Sequence, residues 1–152
     1  MKVLDIREPI AVQFVLGTAI IFVFSLWGVG FQFIKGEALK TLEYNFDAWQ
    51  SNAPFSYTYQ VESGCMLTFS SRVLVVDGVA FFEHSSGHTF EITIEKMFKK
   101  AEKAITQAAS IKLDYHPAYL FPEDINVDWN KDIHDDECFY RIRNFEVIEE
   151  TR

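Results

Sequence analysis

The side chains with the strongest capacity for chemistry lie between Asp114 and Glu137. This stretch holds eight acidic residues and one basic residue, Lys131. Asp128, Asp132, Asp135, Asp136 and Glu137 are hard oxygen donors of the kind calcium takes. Their spacing does not fit a helix–loop–helix calcium loop, and the stretch lacks the glycine such a loop needs for its sharp turn. The plainer reading is a solvated turn region whose carboxylates accept backbone hydrogen bonds or pair with Arg141 or Arg143. His116, Asp128, His134 and Asp135 form the candidate metal set, suited to zinc or copper if the fold brings them together. His84 and His88 stand four apart in a polar loop, without a helix to aim both rings at one ion.

Catalytic patterns are absent. The chain has no Cys-x-x-Cys, haem-attachment sequence, Walker loop, dinucleotide glycine pattern or nucleophile elbow. Carboxylates are so abundant that pairs of them nominate no hydrolase. The expectation is therefore a non-enzyme without a cofactor. Cys65 and Cys138 each open a predicted strand. They would form a disulfide in an oxidising compartment and stay as two reduced, buried thiols in the cytoplasm.

The 152 residues allow one compact domain, or a membrane segment plus a small one. Apolar residues at 49% and charged residues at 24% argue against general disorder. The formal charge of −8 argues against nucleic acid or an anionic lipid surface as the main partner.

The elements that must position these side chains begin with an apolar run. From Pro9 to Ile34 there are 26 uncharged residues, and 15 of those from Ile10 onward are Leu, Ile, Val or Phe. As a helix this run would be about 39 Å long, against a hydrocarbon layer of about 30 Å. Pro9 suits the first helical turn. A cleaved signal peptide fits less well, because the apolar core is long, Asp5 and Glu8 dilute the basic start, and no Ala-x-Ala site follows. The expectation is an uncleaved transmembrane helix over 9–35 after an N-terminal flank of 1–8. Lys2 and Arg7 before it and Lys35 and Lys40 after it leave its orientation undecided. Gln13, Trp27 and Gln32 are the residues of this segment expected to meet headgroups or a neighbouring subunit.

After Gly36 the period changes. Leu39, Leu42, Phe46 and Trp49 mark an amphipathic helix from Glu37 to Gln50, stopped by Ser51, Asn52 and Pro54. Phe55, Tyr57, Tyr59 and Val61 alternate with polar residues as a strand, and Met66 to Phe69 extends a hairpin beyond it. Arg72–Val76 and Val79–Glu83 flank Asp77-Gly78, a two-residue primed turn. Ile94, Met97, Phe98, Ala101, Ile105 and Ala108 line one face of a second helix, with Lys96, Lys99, Lys100 and Lys103 on its wet side. Strands follow at Ile111–Tyr115, Ile125–Trp129 and Phe139–Ile148. The predicted fold class is α+β, an antiparallel sheet covered by helices, over 36–152.

Several segments together resemble a known family. They are Trp49 with Phe55-Ser-Tyr-Thr-Tyr59, the Cys65 position, Val73-Leu-Val-Val-Asp-Gly78 and Thr93-Ile-Glu-Lys-Met-Phe98. Further on come Leu113-Asp-Tyr-His-Pro-Ala-Tyr119, Phe121-Pro122, Ile125-Asn-Val-Asp128 and Asp135-Asp-Glu137. Over roughly residues 39–148 the chain is similar to bacterial domain-of-unknown-function family 6174, small proteins that are often exported or lipoprotein-anchored. The resemblance implies an extracytoplasmic, periplasmic domain with the amino terminus inside. It transfers no catalytic role to any residue. Members often carry two close cysteines in the first hairpin, whereas here Cys65 stands alone with Leu67 two places on. No lipid-modifiable cysteine follows an export signal, so the transmembrane helix would act as a signal anchor in place of a lipid. An exported domain favours the Cys65–Cys138 disulfide over the free thiols.

These readings lead to a non-catalytic, single-pass protein of the inner or plasma membrane, an accessory or structural subunit of a bacterial membrane protein complex. Its expected partners are membrane lipid and other membrane protein subunits, with Tyr57, Tyr59, Tyr115 and Tyr119 as contact surface. The competing class is an extracytoplasmic binding module for a cation or small polar ligand near His116, Asp128, His134 and Asp135.

Overall fold

The structure is a computed structural model and describes residues 9–84, 91–133 and 136–148. The chain divides into two compact units, Met1–Glu37 and Ala38–Arg152. Helix α1, Pro9–Asn52, contributes residues to both. It continues through Gly36, where a lone glycine costs about 1 kcal/mol that the helix formers Glu37, Ala38, Leu39 and Lys40 offset. Beyond Asn52, the Ala53 N–H still reaches the Trp49 carbonyl at 2.8 Å. Pro54 cannot extend the ladder.

The expected transmembrane helix over 9–35 is corrected by this structure. Among the described residues, no helix is long and apolar enough to cross a membrane. The exposed apolar side chains of the first unit include Val15, Leu16, Ile20, Ile21, Phe22, Val23, Phe24 and Ile34. Lys35, Glu37, Lys40, Glu43 and Asp47 follow in the same helix. The single-pass signal anchor and the inner- or plasma-membrane, periplasm-facing placement rested on that span and fall with it.

The second unit is α+β. Its sheet has six antiparallel strands in the order β3-β2-β1-β6-β5-β4. In chain order these are β1 Tyr57–Gly64, β2 Thr68–Val76, β3 Val79–His84, β4 Ser110–Tyr115, β5 Pro122–Asp128 and β6 Glu137–Val147, with helix α2, Ile94–Gln107, between β3 and β4. The last strand lies between β1 and β5, so two three-stranded halves meet through β1–β6. On the inner face Tyr57, Tyr59, Val61, Val73, Val75, Ile125, Val127 and Ile142 are buried. Helix α2 covers them with Ile94, Met97, Phe98, Ala101, Ala104 and Ile105, and Leu42 and Trp49 of α1 join the same core. Thr93 caps α2, its side chain accepting the Lys96 N–H.

Two local differences from the sequence reading, in β2 and β5, have physical causes. Strand β2 is continuous where two separate segments were expected, because Ser70 and Ser71 find partners inside the sheet. Gln60 Nε2 donates to Ser70 Oγ at 2.8 Å, and the Ser71 hydroxyl donates to the Glu83 carbonyl at 3.1 Å. Strand β5 starts at Pro122, since proline is tolerated as a first strand residue. Phe121 is fully buried although it precedes the strand, because the β4–β5 connection folds it inward.

Candidate functional site

The expected metal set does not assemble. His116 follows β4 and Asp128 ends β5, at opposite ends of a hairpin whose register pairs Tyr115 with Pro122 and Ser110 with Asp128. Along the strands that separation is about 20 Å. His134 and Asp135 lie outside the described residues, as do His88 and the side chain of His84. The described residues contain no group of three or more His, Cys, Asp or Glu able to hold a metal ion.

His116 has a structural job. Its Nδ1 accepts the backbone N–H groups of Ala118 and Tyr119 at 3.3 and 3.2 Å, which places the neutral ring's proton on Nε2. Its own N–H bonds to the Phe121 carbonyl and its carbonyl accepts from Leu120. The ring stacks on Phe121 at 4.7 Å between centroids. The imidazole thus closes the 116–121 loop, in which Leu120 adopts a φ of 60°.

Trp49 stands at the centre of an aromatic cluster, edge-on to Tyr57, Phe121, Tyr119 and Phe145 with centroids 5.4–6.3 Å away. Its indole N–H reaches Glu95 Oε1 at 3.4 Å. Tyr57 and Tyr59, expected as partner contacts, are buried members of this core, and Tyr115 and Tyr119 pack against it. The Tyr59 hydroxyl donates to the Ile92 carbonyl at 3.1 Å. Burial pushes the Tyr57 and Tyr59 phenols far up. Tyr115 is pushed up to about 12 by burial, opposed by a hydrogen bond with Asn45. Gln13 is exposed on α1, and the side chains of Trp27 and Gln32 lie outside the described residues.

Cys65 and Cys138 are joined in a disulfide. It ties the β1–β2 connection to the start of β6 and borders a cleft of about 930 Å³. Among the described residues, Asp128 Oδ1, buried at this end, has no hydrogen-bond partner, nor has the buried Asp136 Oδ1. On the uncovered sheet face Asp124 holds two arginines, Arg141 Nε at 2.7 Å and Arg143 at 3.3 Å, and Asn126 accepts from Arg141. This network explains part of the acidic stretch as sheet-surface pairing.

A second concavity, of about 450 Å³, lies between residues 39–46 of α1 and residues 95–102 of α2. Leu39, Leu42, Phe46 and Phe98 form its floor, with the two phenyl rings edge-on at 5.0 Å. Glu43, Glu95, Glu102 and Lys99 form its rim. The two apolar stripes were legible as separate helix faces. Their meeting, and the acidic rim it creates, had no sequence signal because it depends on how the helices lie over the sheet.

No curated protein and no solved structure matches the chain. Residues 41–147 match the profile of a family of unknown function, DUF6174. That span covers α1 from Thr41 through the whole sheet, and the chain belongs to this family.

Proposed function

We propose that this protein is a non-catalytic accessory subunit that docks onto another protein through the first part of α1. The observation that carries this reading is a row of exposed apolar side chains. Val15, Leu16, Ile20, Ile21, Phe22, Val23 and Phe24 are all more than half exposed. Ile20 to Phe24 are consecutive, so at about 100° per residue their side chains encircle the helix. A helix that is apolar on every side is stable when other surfaces enclose it. The sheet already has its own cover in α2 and the later turns of α1, with Trp49, Ile94 and Met97 fully buried. The surface that encloses residues 15–24 is therefore assigned to a partner subunit with apolar faces on more than one side.

Affinity purification of the tagged full chain from its native cells, with mass spectrometry of what co-purifies, tests this reading. A partner in stoichiometric yield is expected, lost when Ile21→Asp and Phe22→Asp are introduced together. Recovery of the chain alone, only as copies of itself, or with a partner indifferent to the double substitution would overturn it.

A further inference from the structure

We propose that the groove between α1 and α2 is a second docking site, and that it takes an amphipathic helix with leucine-like anchors flanked by lysine or arginine. It lies wholly within residues 38–152 and does not depend on the docking role of residues 15–24.

The floor supplies the apolar half of the argument. Leu39, Leu42 and Phe46 recur at helical spacing along one side, and Phe98 rises from the other. Leu39 and Phe46 are only partly buried, although Leu42 and Phe98 beneath them are closed in. Leu39 and Phe46 are seven residues apart on α1, so the floor runs along about two helical turns. An amphipathic helix laid in such a groove presents anchors at i, i+3 or i+4.

The rim supplies the charge. Three carboxylates, Glu43, Glu95 and Glu102, face one ammonium, Lys99. The other lysines of α2 are held elsewhere. Lys96 Nζ donates to the Glu91 carbonyl at 2.9 Å, Lys100 lies over the Tyr140 ring at 4.1 Å, and Lys103 lies over Trp129 at 5.1 Å. These three ammoniums are engaged outside the groove lining, which leaves net acid at its rim. Among the described residues Glu43 and Glu102 make no ion pair within 4.0 Å. A rim of this sign on a chain of net charge −8 attracts a cationic helix and repels an acidic one.

The test uses the full chain and two fluorescent synthetic helices of about 18 residues, one built of Leu and Lys and one of Leu and Glu. Anisotropy is expected to show saturable binding of the Leu/Lys helix and none of the Leu/Glu helix. Reversing Glu43→Lys with Glu102→Lys should weaken Leu/Lys binding about tenfold. Reversing two acids away from the groove, Glu62→Lys with Asp114→Lys, should leave it nearly unchanged. Leu39→Gln separates floor from rim and should also weaken binding with all charges intact. Three outcomes overturn the proposal: no binding of the Leu/Lys helix, equal weakening by both pairs of reversals, or a groove filled by a second copy. The last would appear as self-association that Glu43→Lys with Glu102→Lys abolishes while the helix fails to compete. Because the probes are synthetic, failure here leaves the role of residues 15–24 standing, and loss of the native partner leaves this site standing.

Discussion

At the scale of single residues, environment decides what each chemically capable side chain does. His116 has the composition of a metal ligand and works as a loop clamp, because its Nδ1 is occupied by two backbone N–H groups. The buried tyrosines make a pH dependence. Tyr59 is raised by burial first and then by the nearby Tyr57 and Glu95 charges, and Tyr57 and Tyr115 are raised by burial. The folded chain therefore holds these phenolic protons more tightly than the unfolded chain, whose tyrosines titrate near 10. Their stabilising contribution is complete below about pH 10 and is lost as pH rises from there toward the folded values. Melting temperature should fall steeply between about pH 10 and 12. Tyr59→Phe should shallow that fall while lowering stability at neutral pH by about 1–2 kcal/mol, because the Ile92 carbonyl loses its donor. A mutant with the same alkaline slope as the parent would refute this assignment.

At the scale of elements, local chemistry and ladder register share control. The Asp77-Gly78 turn was legible from two residues, and it forms with φ of 50° and 76°. A Cβ at Gly78 meets no atom within 4 Å, so only backbone strain opposes it. Gly78→Ala should cost about 1 kcal/mol, read as a lower urea midpoint with an unchanged slope. Gly64 differs, because a Cβ there would lie 2.7 Å from the Phe139 ring. The lysine row of α2 was read as a wet face, and its spacing was right. Its destination was not legible, since Tyr140 and Trp129 reach it only through β6 and the end of β5. The length of β2 escaped the pattern for a similar reason. Its serines satisfy their hydroxyls across the ladder, which alternation of apolar residues does not encode.

At the scale of the whole molecule, the disulfide closes the largest loop that the sequence offers. Cys65 and Cys138 are 73 residues apart, and joining them restricts the unfolded chain across β2, β3, α2, β4 and β5. Replacing both by serine should lower stability by about 4 kcal/mol and the melting temperature by roughly 15 °C. An unchanged melt under non-oxidising and oxidising conditions alike would show that the bridge adds nothing. The sequence by itself determined the α+β class, most strand and helix positions, the primed turn, the candidate pairing of Cys65 with Cys138 and the lack of catalytic motifs. All but the cysteine pairing depend on period, turn chemistry and residue type within a short window. The tertiary structure alone decided that His116 and Asp128 stand apart, that Tyr57 and Tyr59 face inward, and that two helices meet in an acid-rimmed groove. It also overturned the expected membrane span among the described residues. The separation of His116 from Asp128, the inward tyrosines and the groove follow from strand order and helix placement, which join residues far apart in the chain and leave no trace in its local pattern.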